Sequence, residues 1–416
     1  MKQRGNLLVG QAGGPTAVIN SSLAGVIEEA QQHAAIAGIY GMRRGLLGLL
    51  AGDLVDLRRE TAATIARLRT TPAAALGASR RRFQDEDGPR LLAMLRAHDI
   101  RYLVYIGGND SMDTAQRIAD LTQAAGYELR VVGVPKTIDN DLLHTDHTPG
   151  YGSAARYVAM STQEAGLDAA ATAVVDAVCI LEVMGRDAGW VAAAAALARV
   201  EADGSLRPDE APHLIYVPER RLSASRFLAD VATVYRRVGH VVAVVAETVR
   251  DEVGEPWAQS LGVDDFGHRR LVGTAERLCA LVRQELGLHA RFDKPGTLQR
   301  ASFLCRSPVD EEEAYALGRA AVARLLAGES GVMLTLVRES DEPYRCTIGQ
   351  VPLAAVAHGV RRLPDEYIAP AGNFVTPAFL TYARPLIGGP LPEYARLRGV
   401  SVVGRARRPP PLQSGS

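Results

Sequence analysis

The sequence predicts an α/β protein with doubly wound parallel sheets, and three observations carry that reading. Short apolar runs repeatedly end in a glycine-rich or polar loop and give way to a helical pattern, as at Asn6–Gly10 and again at Tyr102–Ile106; strands alternating with helices point to a parallel sheet. The pattern restarts at Val178–Val183, beyond the glycine-containing stretch Thr148–Ser153, which reads as a hinge. The chain has 416 residues, 47% of them hydrophobic, enough for two cores or more.

Composition excludes several function classes. Lys+Arg and Asp+Glu both number 47, so nothing draws the chain to nucleic acid or to an acidic membrane. Four scattered cysteines without a C-x-x-C read as buried apolar residues of a reducing compartment. Leu7-Leu8-Val9 is too short for a signal peptide, and the Ala-rich Val191–Ala198 is too short to span a bilayer. A soluble cytoplasmic protein with small-molecule partners is expected.

Taken in order, the first strand Asn6–Gly10 ends in Gln11-Ala12-Gly13-Gly14-Pro15-Thr16, and a helical pattern follows from Ala17 to about Ala34. A glycine loop opening a helix lets backbone N–H groups approach an anion. It fits neither G-x-G-x-x-G nor the P-loop pattern, so a tight βα turn stays open as the alternative. Gly77-Ala78-Ser79-Arg80-Arg81-Arg82 is a basic turn before an acidic run. It reads as solvated charge or as an arginine reaching a phosphate. Tyr102–Ile106 ends in Gly107-Gly108-Asn109-Asp110-Ser111, where Asp110 or Ser111 can cap the helix to Ala125. Asn109 and Asp110 also supply oxygens suited to Mg²⁺.

The apolar run Leu129–Val134 then leads into Pro135-Lys136-Thr137-Ile138-Asp139-Asn140-Asp141. Pro135 ends the ladder because it has no N–H. The loop lies at the C-terminal edge of a strand, where open α/β sheets bind ligands. Lysine occurs only at positions 2, 136 and 294. A lysine beside two aspartates in an arginine-rich chain suggests a compact point charge, with a solvated polar turn as the other reading. His144 and His147 flank Asp146, but no third metal ligand is evident.

In the second unit the strands Val178–Val183, His213–Val217 and His240–Ala246 end near Arg186, Glu219 and Glu247, which would put polar residues on one rim. Arg291 and Arg300 lie nine positions apart, and Asp310–Glu313 starts a helix to about Leu326. Gly331–Val337 reads as a late strand, and the proline-rich tail as disordered.

Together Gly13-Gly14-Pro15, Gly77-Ala78-Ser79-Arg80, Gly107–Ser111, Pro135–Asp141, Glu182-Val183-Met184-Gly185-Arg186, Glu247 and Leu298-Gln299-Arg300 resemble the phosphofructokinase family, in family order. The resemblance implies two Rossmann-like doubly wound domains with the active site in the cleft between them. It divides the chain into a phosphoryl-donor domain (1–150 and 297–345), a sugar-phosphate domain (151–296 and 346–404) and a flexible tail (405–416). It implies phosphoryl transfer to the 1-hydroxyl of fructose 6-phosphate, with Asp139 as general base and Thr137 at the transferred group. Arg80, Gly13, Gly14, Gly108, Asn109 and Ser111 would serve the donor. Ile138, Met184, Gly185, Arg186, Glu247, Arg291, Thr297 and Arg300 would join Thr137 and Asp139 on the sugar phosphate. Mg²⁺ would sit at Asn109 and Asp141.

Asp110 and Lys136 stand where ATP-dependent members carry glycine, and they resemble the diphosphate-dependent members. A carboxylate at 110 repels a nucleotide α-phosphate by about 1 kcal/mol at contact in water and more in a drier cleft. Asn109 replaces an aspartate common in relatives. Leu23, Ile27 and Ala177 replace arginines of the allosteric tetramers, which points to a non-allosteric homodimer. The competing readings are an ATP-dependent kinase, a non-catalytic regulatory subunit and a nicotinamide oxidoreductase. The intact 137–141 set opposes the second, and the missing G-x-G-x-x-G opposes the third.

Overall fold

The computed structural model describes residues 4–79, 81–201, 203–263, 269–356 and 359–397. Arg80 and the tail expected at 405–416 therefore lie outside the described residues. Five strands open the first lobe: β1 (Gly5–Gln11), β2 (Ile36–Met42), β3 (Leu54–Asp56), β4 (Ile100–Gly107) and β5 (Arg130–Pro135). The chain leaves along the helix Tyr151–Ala171 and builds the second lobe from β6 (Val178–Val183), β7 (Leu214–Tyr216), β8 (Val241–Ala246), the hairpin β9 (Gln259–Val263) with β10 (Arg269–Val272), and β11 (Ala290–Asp293). It then returns through the helix Pro308–Ala327 to β12 (Val332–Asp341) and β13 (Tyr344–Pro352).

The first sheet has the order β13-β12-β5-β4-β1-β2-β3, and the second β11-β6-β8-β7. β1, β2, β4, β5 and β12 run parallel, while β3 and β13 are antiparallel edges. β1 and β4 align Val9 with Val104, and β4 and β5 align Gly107 with Pro135. Strands buried on both faces read as unbroken apolar runs, which is why β4, β5, β6 and β8 were legible. Helices Ile19–Gln31 and Pro308–Ala327 cross closely over this sheet. A Cβ at Gly25 would come within 2.2 Å of the Tyr315 carbonyl, and one at Gly318 within 2.1 Å of the Ser22 carbonyl. Only glycine permits that approach.

The chain runs from β1 to β2 on one side, then to β4 on the other, so the order reverses between β1 and β4. The crevice at such a reversal is where doubly wound sheets bind ligands. Here it is framed by the loops after β1, β4 and β5. In the second lobe β6 and β8 lie side by side, with Val183 opposite Ala246, and their ends face the same cleft.

Several elements depart from expectation. The late strand expected over Gly331–Val337 is longer and folds back as β13, so the 345/346 boundary falls inside a strand bonded to β12 throughout. β2 and β11 had no signal distinct enough to name. Beyond β13 the chain returns to the second lobe. Leu363, Ile368, Phe379, Tyr382 and Leu386 are buried in the same core as Trp190 and Val191. Among the described residues no helix is long and apolar enough to cross a membrane.

Candidate active site

The turn after β5 is tightly specified. Lys136 N–H donates to the Gly107 carbonyl, and Thr137 N–H to the Pro149 carbonyl, at 2.9 and 3.2 Å. Thr137 Oγ1 accepts from the Asp139 N–H at 3.0 Å. Asn140 then takes a positive φ of 56°, a conformation asparagine tolerates better than most residues. Its side chain is fixed on both sides, accepting from Thr148 N–H and donating to the Tyr382 hydroxyl. The result holds Asp139 and Asp141 on either side of a left-handed residue.

Lys136 is 3% exposed, and its Nζ donates to the Gly14 carbonyl at 2.7 Å. Burial, helped by Arg186 and Arg300, pulls its pKa down to about 7, against the opposing pull of Asp139 and Asp141. A Cβ on Gly13 would lie 3.1 Å from that ammonium, and one on Gly14 would lie 2.8 Å from Arg300 Nη1. Both glycines are therefore cleared for cations from elsewhere in the chain.

Gly108 precedes the helix Asn109–Ala124. Ser111 is buried, with its Oγ so close to Gly107 that any Cβ there would collide at 2.0 Å. Asn109 donates through Nδ2 to Asp141 Oδ2 at 3.3 Å, while its buried Oδ1 has no hydrogen-bond partner. Asp110 accepts from Arg82 Nη2 at 3.0 Å. That contact gives the basic turn a concrete partner and tempers the negative charge at 110. Burial, and then the Asp139 charge, push Asp141 up to about 7.

From the second lobe, the loop after β6 brings Met184, Gly185 and Arg186. Arg186 has a positive φ of 49°, strained for a long side chain. Its N–H donates to Glu247 Oε1 at 3.4 Å, its carbonyl accepts from Thr248 Oγ1, and its Nε reaches within 3.6 Å of Asp139 Oδ2. That ion pair joins the lobes across the cleft. Burial, and then Asp139, raise Glu247 to about 7. Gln299, part of the Leu298-Gln299-Arg300 motif but given no role from sequence, is 2% exposed and bridges Met184 N–H and the Gly296 carbonyl. It fixes the short helix Leu298–Ala301 that aims Arg300 at the Gly14 loop. No pattern within one sequence marks such a bridging glutamine.

Two expected residues are not drawn in. Arg291 pairs with Asp168 and lies 3.6 Å from Asp293. β11 sets it opposite Cys179, near the start of β6 rather than its site end. Thr297 is exposed and makes no side-chain capping bond. Ile138 is buried and contributes packing. His147 is engaged at both nitrogens, by Asp146 and Glu313 at 2.7 Å each. Lys294 is bound to buried Glu182 at 2.5 Å. A cavity of about 610 Å³, lined by Leu23, Arg43, Arg44, Asp53 and Leu76 among others, shares no residue with this cluster.

Chemically the cleft sets three carboxyls, Asp139, Asp141 and Glu247, among three cations, Lys136, Arg186 and Arg300. Such a site can bind anions, take a proton and stabilise charge on a transferring group.

The family model described as phosphofructokinase matches residues 6–325. The chain is 44% identical over 414 residues to the pyrophosphate--fructose 6-phosphate 1-phosphotransferase of Xanthomonas campestris, covering 96% of this chain and 97% of that protein. It is 36% identical to a sulfofructose kinase of Alkalicoccus urumqiensis over 86% of this chain and 91% of that protein. Among solved structures, the pyrophosphate-dependent phosphofructokinase from Marinobacter aquaeolei matches with a TM-score of 0.83 at 38% identity, covering 97% of this chain and 98% of that one.

Proposed function

The chain belongs to the phosphofructokinase family, and we infer that it is a diphosphate-dependent phosphofructokinase, moving a phosphoryl group between diphosphate and the 1-hydroxyl of fructose 6-phosphate. The observation that carries the choice of donor is the buried Lys136 bound to Gly14, with Asp110 in the first turn of the helix after β4. A buried cation close to the glycine loop suits a short, highly charged donor. A carboxylate beyond it opposes a nucleotide tail. Relatives named as pyrophosphate-dependent support the same reading.

In the proposed reaction Asp139 takes the proton of the sugar 1-hydroxyl, whose oxygen forms the new bond to phosphorus. The bridging P–O bond of diphosphate breaks, and phosphate leaves. Lys136 and the Gly13-Gly14 N–H groups stabilise charge on the donor. Arg186, Glu247 and Arg300 hold the sugar phosphate. Catalysis here rests on positioning and counter-charge.

The residues present fit Mg²⁺. Asn109 bonds Asp141 through its Nδ2 and keeps a buried, unpartnered Oδ1, and Mg²⁺ commonly takes one or two protein oxygens plus phosphate oxygens and water. Among the described residues no three His, Cys, Asp or Glu side chains converge as ligands, so the donor itself would complete the shell. When bound, Mg²⁺ orients and neutralises the diphosphate oxygens.

The proposal extends to a cytoplasmic, non-allosteric homodimer. Leu23 and Ile27 are 1% and 0% exposed, so the first helix offers core there, not effector ligands. Val174, Leu298 and Leu304 expose apolar side chains that a second copy would cover. The decisive assay supplies fructose 6-phosphate, Mg²⁺ and a single donor. Turnover with diphosphate and little with ATP is expected; a preference for ATP would falsify the donor assignment.

A further inference from the structure

The last described segment, 359–397, has no part in either parallel sheet, yet it reaches the turn that carries Asp139. Arg361 is the point of contact. Its backbone N–H donates to the Asp141 carbonyl at 2.7 Å. Its guanidinium donates to the carbonyls of Asn140 at 3.2 Å, Thr145 at 2.7 Å, and Asp146. One residue thus satisfies four carbonyls of the loop that follows β5. Its other face lies 4.3 Å over the Trp190 ring, and Trp190 Nε1 donates back to the Arg361 carbonyl at 3.0 Å. Trp190 belongs to the second lobe, directly after the loop bearing Met184 and Arg186.

Tyr382 completes the arrangement. Its hydroxyl donates to the Asp146 carbonyl at 2.8 Å, accepts from Asn140 Nδ2 at 2.9 Å, and accepts from Arg361 Nη2 at 3.2 Å. A phenol has one proton and two lone pairs, so every bonding capacity of this buried group is spent, two on the loop after β5 and one on Arg361. Asn140 is the left-handed residue between Asp139 and Asp141. A non-glycine residue in that conformation persists only where its surroundings over-determine it, and Tyr382 and Arg361 supply much of that constraint.

We propose that Arg361 and Tyr382 are positioning residues for phosphoryl transfer: the C-terminal segment clamps the Asp139–Asp141 turn and registers it against the sugar-phosphate lobe. The inference rests on the reading that this turn carries the reacting carboxylates. Neither residue touches substrate in this scheme. Their effect is to hold Asp139 where its oxygen meets the sugar hydroxyl, and small displacements of a reacting group are costly.

The test uses the full-length protein with fructose 6-phosphate, diphosphate and Mg²⁺. Rates are expressed per binding-competent site, counted by calorimetric titration with fructose 6-phosphate. Tyr382→Phe keeps the ring and removes only the hydroxyl. It is expected to lower kcat per site by about 10- to 100-fold, with both Michaelis constants within about threefold of wild type. Arg361→Lys, which retains a cation over Trp190, is expected to recover part of the rate lost in Arg361→Ala. If the alanine variant does not fold, Tyr382→Phe and Arg361→Lys decide alone. A Tyr382→Phe enzyme whose kcat per site stays within about twofold of wild type overturns the inference, because a purely structural clamp changes only how many sites survive. A wild-type protein without diphosphate-driven turnover overturns the functional reading instead, and the two failures are told apart by that control.

Discussion

Asp139 sits where three influences meet: the Arg186 guanidinium at 3.6 Å, the neighbouring Asp141, and the Thr137 hydroxyl that holds its N–H. Asp139→Ala should fold, since the residue lies on a loop, and should lose turnover by about 10²–10⁴, the usual cost of removing a general base. Turnover within about threefold of wild type, with substrates still bound, would remove Asp139 from that role. Glu247 yields a pH prediction. Its folded pKa is raised from the ordinary 4.5 to about 7. The native state therefore keeps a proton that the unfolded chain has released between those values. The associated stability is complete below pH 4.5 and is lost as pH rises through 7. Glu247→Gln mimics the protonated form, so at pH 8 it should melt higher, by on the order of 2 kcal/mol. It should also bind fructose 6-phosphate more weakly. Equal melting of variant and wild type at pH 8 would contradict the assigned burial cost. At this scale the sequence was informative for Lys136, Asp139 and Arg186, because rare or charged residues at strand ends stand out. It was silent on Arg361, on Tyr382 and on the bridging role of Gln299, which depend on partners more than 60 positions away or on a late segment.

At the scale of elements, the proposed donor site is built from two loop-helix junctions and one strand end. Asp110 belongs to the helix after β4, where it meets Arg82, and Lys136, at the end of β5, meets the Gly13-Gly14 loop after β1. They should act together. Lys136→Met keeps the stem that fills the buried site but removes the charge, and diphosphate turnover should fall by about 10²–10³. Asp110→Gly should relieve repulsion and admit nucleotide, and it removes the carboxylate that Arg82 contacts at 3.0 Å. The double variant should deviate from the sum of the single effects in turnover per Michaelis constant, measured with each donor. Strict additivity would mean the two side chains do not share a ligand. The strand-loop-helix elements were readable because doubly covered strands leave unbroken apolar runs. β13 was not, since its residues alternate between half-buried and exposed on an edge, and Tyr344-Arg345-Cys346-Thr347 resembles loop as much as strand.

Across the whole molecule, two lobes meet at a cleft spanned by the Arg186–Asp139 ion pair, by Arg300 against Gly14, and by the returning C-terminal segment. Substrates that bridge the lobes should draw them closer. Solution scattering should show a smaller radius of gyration with fructose 6-phosphate and a non-reacting diphosphate analogue than without; superimposable profiles would argue for a rigid cleft. The two-lobe plan was visible in the restart of the strand-helix pattern after Val178, but the interleaving of the chain was not, because periodicity reports what an element is and not which sheet it joins. That interleaving has a consequence for how the protein is made. Val132 of β5 pairs with Val332 of β12, about two hundred residues later. At ribosomal speeds of roughly 5–20 residues per second, about 10–40 s pass between the two strands. In that interval the β6–β11 sheet can be completed in full, whereas β5 waits with an open edge of unpaired N–H and C=O groups. The sheet begun first thus stays open until β12 is made, and the nascent chain is most exposed to wrong pairing while its second half is still being synthesised.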